Sequence, residues 1–370
     1  MSQQEDPNRM LRDAVTAFAA RDTSIARVRQ LRDTAPGFDK AVWKTIAELG
    51  WTGIMIPEEY GGMGLGLGEM AAVLEEFAKT LSPEPLNPSS VLAAAALLHG
   101  DNEALKKKLL PGIASGEILP ALAWQEAEGG IDPLAIATRA EGGALNGGKR
   151  FVFPADADGY LVSARSGNGP AVYWVEKGTA GLTVEYEPRA DGTRCGRINL
   201  KNVKVTDAQL AASGKTAGAA LQRAVDEATI MAGAELLGVM SRALEITLEY
   251  MRIRVQFGKA IGSFQALQHR AVDLFIQKEL SFSVLRDALL QTAADPSGLG
   301  LWASRVKSRC SEAGMRIGRE SIQIHGGIGF ADECDIGLYL KRAMVLSAWL
   351  GNGAVHRRRY AALAPAEAAA

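Results

Sequence analysis

What the 370-residue sequence has little of narrows it first. Its three cysteines, Cys195, Cys310 and Cys334, lie far apart, with no CxxC pair and no histidine at metal-ligand spacing. This pattern predicts a reducing compartment and no zinc or other metal site. Neither sign of charge dominates: 41 Lys and Arg against 42 Asp and Glu give a net charge of −1, without the basic surplus that would hold nucleic acid or an anionic membrane surface. The apolar run 92–98 falls well short of a bilayer span, and the opening MSQQEDPNRM lacks the charged-then-apolar build of a signal peptide. A cytoplasmic location is therefore expected. There is no repeat of fixed period, and the one low-complexity stretch is the Ala-rich tail after Ala361, expected to be disordered. The last absence is local: between Asp335 and Glu367 there is no carboxylate at all, and this interval contains AWLGNGAVHRRRY, residues 348 to 360.

What is present divides into three blocks. With 47% hydrophobic and 22% charged residues, the chain is long enough for two or three domains, each with its own core. Over residues 1–118, apolar residues recur at three-to-four spacing in 11–20, 42–49, 70–81 and 91–99, which predicts an N-terminal α-helical domain. Over 119–210 the texture turns to short alternating or β-branched runs, 119–124, 160–164, 171–175, 182–186 and 198–205. Turn pairs such as Gly142-Gly143 and Asn146-Gly147 separate them, which predicts a small central β domain. Over 211–365 the helical period returns. Leu236, Met240, Leu244 and Leu248 mark one face of a helix over 217–254, and helices over 268–293 and 299–324 follow, broken by Asp295-Pro296-Ser297-Gly298. The expected class is α+β multidomain, ending in a four-helix bundle and a short tail, 366–370. Val272, Phe275, Ile276 and Val284 give the second long helix an extra apolar face, which predicts an oligomer.

Three stretches carry candidate chemistry. EEYGGMGLGLGEM, 58–70, is glycine-rich but has no strand before it and no βαβ unit around it, so a loop packed near a binding cleft is expected rather than a phosphate cradle. RVQFGKAIGSFQALQH, 254–269, brackets a turn between two long helices with Arg254, a forked donor suited to a diphosphate, Phe257, an apolar face for a ring, and Gln265, a neutral donor and acceptor. QIHGGIGF, 323–330, sets adjacent glycines where backbone could approach a ligand closely. A helix C-cap explains one of them and not three in four residues. The histidines, His99, His269, His325 and His356, are isolated in sequence, and His325 is expected to shape backbone rather than to act as acid or base.

These motifs, with IPEEYGGMGLGLGEMAAVLEE at 56–76 and the α, β, α order, resemble the acyl-CoA dehydrogenase family over nearly the whole chain. The resemblance implies an N-terminal α domain, a central β domain and a C-terminal four-helix bundle, with FAD bound between domains and across a dimer interface. It implies that Arg254, Gln256 and Phe257 reach the FAD of a neighbouring subunit, and that Gln265, Gln323, Gly326 and Gly327 surround its adenosine diphosphate. The family's flavin-facing segment, usually Thr-Glu-Pro then Ala-Gly-Ser-Asp, reads QEAEGGID here, with Gln125 for Thr and Ile131 for Ser. The usual Trp-Ile-Thr reads Phe151, Val152, Phe153. These departures remove hydroxyls that normally serve the flavin ring and the CoA side.

The family's bundle usually ends in Tyr-Glu-Gly-Thr, whose Glu removes the α-proton of the thioester while the β-hydride passes to the flavin. Matching Gly351 to that Gly puts Leu350 in place of the Glu and Asn352 in place of the Thr. Leucine keeps a backbone N–H for the thioester oxygen and has nothing that accepts a proton. Some members carry the Glu near the start of the long bundle helix, which corresponds here to Ala228. Glu227 is one residue, about 100° of helix, away, and Asp226 and Glu235 are farther off. The tail QIHGGIGFADECDIGLYLKRA is similar to the small subunits of heteromeric, pimeloyl-CoA dehydrogenase-type enzymes. The expectation is thus an FAD-dependent oxidoreductase of fatty acid metabolism that converts an acyl-CoA to its 2-enoyl-CoA as a subunit of a heteromer, with an electron-transfer flavoprotein as acceptor. The alternatives are a homo-oligomeric dehydrogenase using Glu227, a flavin-dependent monooxygenase of the same fold, or a binding protein, which the retained flavin contacts disfavour.

Overall fold

The computed structural model describes residues 8–364; the opening residues read above for a leader, and the 366–370 tail, lie outside the described residues. The N-terminal helices are α1 (Arg9–Asp22), α2 (Ile25–Leu31), α3 (Lys40–Glu48), α4 (Leu67–Lys79), a π-helix (Asn87–Ala93) running into α5 (Ala94–Leu98), and α6 (Glu103–Ala114). Caps set some of their starts: Asp39 accepts from the Ala41 N–H at 2.8 Å before α3, and Asn102 from the Leu105 N–H at 3.0 Å before α6. The strands are β1 (Pro120–Ala123), β2 (Arg139–Glu141), β3 (Ala144–Val152), β4 (Gly159–Ser166), β5 (Gly169–Glu176), β6 (Leu182–Pro188), β7 (Arg194–Lys204) and β8 (Leu210–Ser213). Next come α7 (Gly214–Ile253), a small hairpin of β9 (Val255–Gln256) and β10 (Lys259–Ala260), α8 (Gln265–Ala294), α9 (Leu299–His325), α10 (Ile336–Ala348) and α11 (Gly353–Leu363). The three long bundle helices expected from the apolar period are α7, α8 and α9. Helix α11 continues past Ala361, where a disordered tail was expected to begin.

The described residues divide into two compact units. One takes those of Met1–Arg29, Ala71–Ser82 and Thr229–Ala370; the other those of Gln30–Met70 and Pro83–Ala228. In the second unit the strands form one sheet in the order β6-β7-β3-β2-β4-β5-β8, with β1 parallel to β4. Tyr160, Val162, Val175, Ile198, Leu200 and Val203 form its apolar core. Gly142-Gly143 makes the β2–β3 turn, with φ of 58° and 70°, as a tight hairpin requires. Asn146-Gly147, read above as another turn, instead lies inside β3 at a register shift, where the Asn146 side chain accepts from the Asn202 N–H at 2.8 Å. A Cβ on Gly147 would come within 2.6 Å of Thr138, so the glycine serves a bulge and a close approach.

A buried amine sits within this core. Lys149 on β3 is fully buried, and its Nζ reaches Glu126 Oε1 at 2.5 Å and Ser163 Oγ at 2.8 Å. Burial pushes the Lys149 amine down to about 8 against the pull of Glu126. Burial alone would raise the Glu126 carboxyl, but Lys149 and the Thr138 N–H outweigh it and hold the carboxyl below its ordinary value. Glu126 also accepts the Ala137 N–H at 2.7 Å and the Thr138 N–H at 3.1 Å, so the pair fastens the segment after β1 to β3 and β4.

In the first unit α9 is the hub, packing against α8, α10 and α11. The approach of α7 requires glycine, because a Cβ on Gly233 would lie 2.2 Å from Val306 of α9. On α7, Leu236, Met240 and Leu244 are buried, as the period predicts, while on α8 Val272, Phe275 and Ile276 stay about half exposed in the single chain. No helix among the described residues is long and apolar enough to cross a membrane. Removing the buried amine tests the β-unit core. Lys149→Met, which leaves Glu126 without its cation, is expected to cost about 3 kcal/mol of stability, and adding Glu126→Gln should recover part of that loss in urea titrations followed by circular dichroism.

Candidate active site

The motif over 58–70 folds back on itself. The Met63, Gly64 and Leu65 N–H groups donate to the carbonyls of Gly53, Ile56 and Ile54, and a Cβ on Gly62 would meet the Ile56 carbonyl at 2.0 Å. These amides are spent on the preceding 53–56 segment, which leaves little to cradle a phosphate.

The segment QEAEGGID lies in the second unit between β1 and β2. Gln125 Nε2 donates to the Ala127 and Gly130 carbonyls at 3.2 and 3.1 Å, so part of its side chain closes its own loop. The neighbouring Glu126 belongs to the buried pair with Lys149. Phe151 takes a φ of 54°, a left-handed conformation rare for a bulky residue, and the Arg150 guanidinium lies 5.0 Å from its ring centroid. Arg189 stands 4.0 Å over the Phe153 ring. In place of the Trp and the Thr of the family pattern, this chain therefore has two half-buried phenylalanine rings, each with a guanidinium against it.

In the first unit the ends of α7 and α9 come together. The Tyr250 and His325 rings stack at 4.3 Å, and the Tyr250 hydroxyl donates to the His325 carbonyl at 3.3 Å. His325 Nδ1 bonds the Ser321 carbonyl at 2.7 Å, and burial lowers the imidazole pKa. This stack brings the 254–257 hairpin and the 326–327 glycines to one end of the unit. There Arg254, Gln256, Phe257, Gln265, Gln323, Gly326 and Gly327 are all exposed. Phe257 is 91% exposed at a φ of 53°, an apolar ring held out by a hairpin turn. A Cβ on Gly326 or Gly327 would meet nothing within 4 Å, and among the described residues Arg254 makes no ion pair. An unspent guanidinium beside open backbone is a donor set that fits a diphosphate-bearing nucleotide.

The turn of the opening absence, 349–352, joins α10 to α11 in the same unit. Leu350 is 2% exposed with a φ of 59°, and Gly351 follows at 97°. The Leu350 carbonyl bonds His356 Nε2 at 2.8 Å, and the Gly351 carbonyl accepts from Lys307 Nζ at 2.6 Å. Asn352 caps α11, its side chain accepting from the Val355 N–H at 3.0 Å. Lys307 and His356 were not singled out for this turn from sequence. A signal existed for the first, since Lys307 interrupts the buried face formed by Ala303, Val306, Cys310 and Ala313 on α9. From Lys307 to His325 the helix rises about 27 Å, so the turn and the Arg254 cluster lie far apart on one chain.

The carboxylates of α7 are engaged. Glu227 is buried, and its Oε1 takes Arg223 Nε at 2.8 Å with His99 Nε2 at 3.6 Å. Asp226 accepts from Gln222 at 2.9 Å, and Glu235 pairs with Arg342 at 2.7 Å. The Ala228 carbonyl accepts from Asn87 Nδ2 at 3.2 Å.

Comparison with known proteins matches two family models, the acyl-CoA dehydrogenase N-terminal domain at residues 5–117 and the acyl-CoA dehydrogenase C-terminal domain at residues 217–364. Among curated relatives, acyl-CoA dehydrogenase IpdE2 of Mycolicibacterium smegmatis is 30% identical over 351 residues, covering 95% of this chain and 96% of that protein. Among solved structures, a variant of the Tcur3481-Tcur3483 steroid ACAD is 30% identical with a TM-score of 0.87, covering 98% of this chain and 99% of that one. The ChsE4-ChsE5 complex of Mycobacterium tuberculosis is 27% identical with a TM-score of 0.89, over 99% of this chain and 100% of that one. With its helix, sheet and helix order, its two family-model matches and a relative aligned almost end to end, this chain belongs to the acyl-CoA dehydrogenase family.

Proposed function

We propose that this chain is one subunit of a heteromeric FAD-dependent acyl-CoA dehydrogenase, in which a partner chain carries the base that removes the α-proton. The observation that carries this reading is Leu350, an apolar side chain on the turn where a family member's catalytic glutamate is expected. Two of the similar structures are named as two-component proteins, Tcur3481-Tcur3483 and the ChsE4-ChsE5 complex, which supports the same reading. When bound, FAD supplies the acceptor for the hydride that leaves the β-carbon of the acyl thioester.

The residues of this chain bind and orient. Arg254 offers its guanidinium fork to the diphosphate, Gln256 and Phe257 extend that contact, and Gln265, Gln323, Gly326 and Gly327 line the same end. The roughly 27 Å of α9 between this cluster and the 349–352 turn favours service to a neighbouring subunit's nucleotide rather than to one at this chain's own turn. Gln125, Phe151 and Phe153 are assigned to the flavin-facing side and Asn352 to the cofactor-binding set through its own turn, while the Leu350 N–H is left to polarise a thioester oxygen without a base. Glu227 is read as structural, because it is buried and one of its oxygens is held by Arg223 and faced by His99. An electron-transfer flavoprotein is the proposed acceptor of the electrons.

Two measurements test this. Purified alone and titrated anaerobically with a panel of acyl-CoA thioesters, the chain should hold less than one FAD per chain and show no bleaching of flavin absorbance. Co-expression with a second acyl-CoA dehydrogenase chain should give a complex that bleaches, and bleaching by the lone chain would overturn the heteromer. In that complex, Arg254→Ala here should weaken FAD retention roughly ten- to a hundredfold, as loss of a charged hydrogen bond to phosphate implies. Arg254→Lys should recover only part of it, and an unchanged dissociation constant would remove Arg254 from the diphosphate.

A further inference from the structure

The 349–352 turn is held by more than packing requires. Its two central carbonyls take donors from two different helices, Lys307 on α9 and His356 on α11. Lys307 is fully buried, and its Nζ also donates to the Ser347 carbonyl at 3.1 Å and faces Ser311 Oγ at 3.5 Å. No carboxylate lies within ion-pair distance of it among the described residues. Burial without a counter-ion pushes this amine down to about 7, despite an upward pull from Cys310 and Glu235. If the position needed only to be filled, a methionine would fill it without the desolvation. His356 is 1% exposed, and burial pushes it down to about 4, so the ring is neutral and carries one N–H. The hydrogen-bond network assigns that N–H to Nε2, donating to the Leu350 carbonyl, with Nδ1 facing Ser304 Oγ at 3.4 Å.

We infer that Lys307 and His356 are positioning residues, a two-pronged clamp that holds the 349–352 turn in its left-handed geometry whatever side chain stands at 350. The chain thus keeps the frame of a base-bearing turn although it lacks the base. This rests on the reading of 350 as the base position, and the two parts can fail separately.

Hydrogen exchange followed by mass spectrometry on the full chain tests the clamp with no need for flavin, partner or turnover. Lys307→Met and His356→Leu should each speed exchange of the peptide over 349–353 at least tenfold while the β-sheet peptides keep their rates. His356→Gln, which retains an N–H donor of similar reach, should stay within about threefold of the parent. If either apolar variant leaves the turn's exchange unchanged, the clamp is wrong; should Lys307→Met not fold, His356→Leu against His356→Gln decides it. A second arm reads function in the flavin-loaded complex. Leu350→Glu sets a carboxylate on a turn already in place and should raise the rate of anaerobic flavin reduction, and adding Lys307→Met should cut that gain at least tenfold. A gain that survives Lys307→Met overturns the clamp, and no gain from Leu350→Glu alone overturns the assignment of 350 while the exchange data still decide the clamp.

Discussion

The amine of Lys307 donates to two carbonyls of the chain that leaves α10, and the order of the first unit's far end follows from it. Helix α9 touches α8, α10 and α11, so a donor fixed on α9 ties the exit of α10 and the entry of α11 to the middle of the bundle. Asn352 then caps α11 immediately after the clamped carbonyl, and His356, one turn into that helix, reaches back to Leu350. Each contact presupposes the others, because a capped helix presents His356 only if the turn before it is fixed. A buried network of this kind specifies one arrangement when all its members are satisfied.

The second unit uses the same device differently. Lys149 is also fully buried, but it has a carboxylate partner in Glu126, and its effect is to anchor a loop rather than to bend a turn. Glu126 spends one oxygen on the lysine and the Thr138 N–H and the other on the Ala137 N–H, so the segment carrying Gln125 returns to the sheet at a defined place. The rings of Phe151 and Phe153 follow within β3 or just after it. Both rings therefore sit next to a backbone segment whose course is fixed by the buried ion pair.

Much of this was legible in the sequence, for reasons that differ by element. The long helices α7, α8 and α9 were readable because a 3.6-residue apolar period over more than twenty residues has few competing explanations. Asn146-Gly147 misled because the dipeptide that favours a hairpin also suits a bulge, and only the pairing of β3 with β7 separates them. Short strands such as β2, Arg139–Glu141, carry too few residues for alternation to register. At the candidate site, the glycines of 326–327 and the Arg254 hairpin announced themselves by residue type. The clamp did not, since Lys307 meets Gly351 across 44 positions of chain and nothing local to either residue signals the other.

The choice of leucine at 350 is itself informative about that clamp. A residue forced to a φ of 59° would be glycine or asparagine if conformation alone decided it, and a leucine there costs about 1–2 kcal/mol of backbone strain. Against that stands its burial, worth roughly 2 kcal/mol for a side chain 2% exposed. The two are near balance, so the residue's own energetics do not favour the left-handed geometry strongly, which leaves the proposed clamp room to decide it. On the proposed assignment of 350 as the base position, leucine there means neither a buried charge nor a proton acceptor on the turn, while Lys307 and His356 hold its carbonyls.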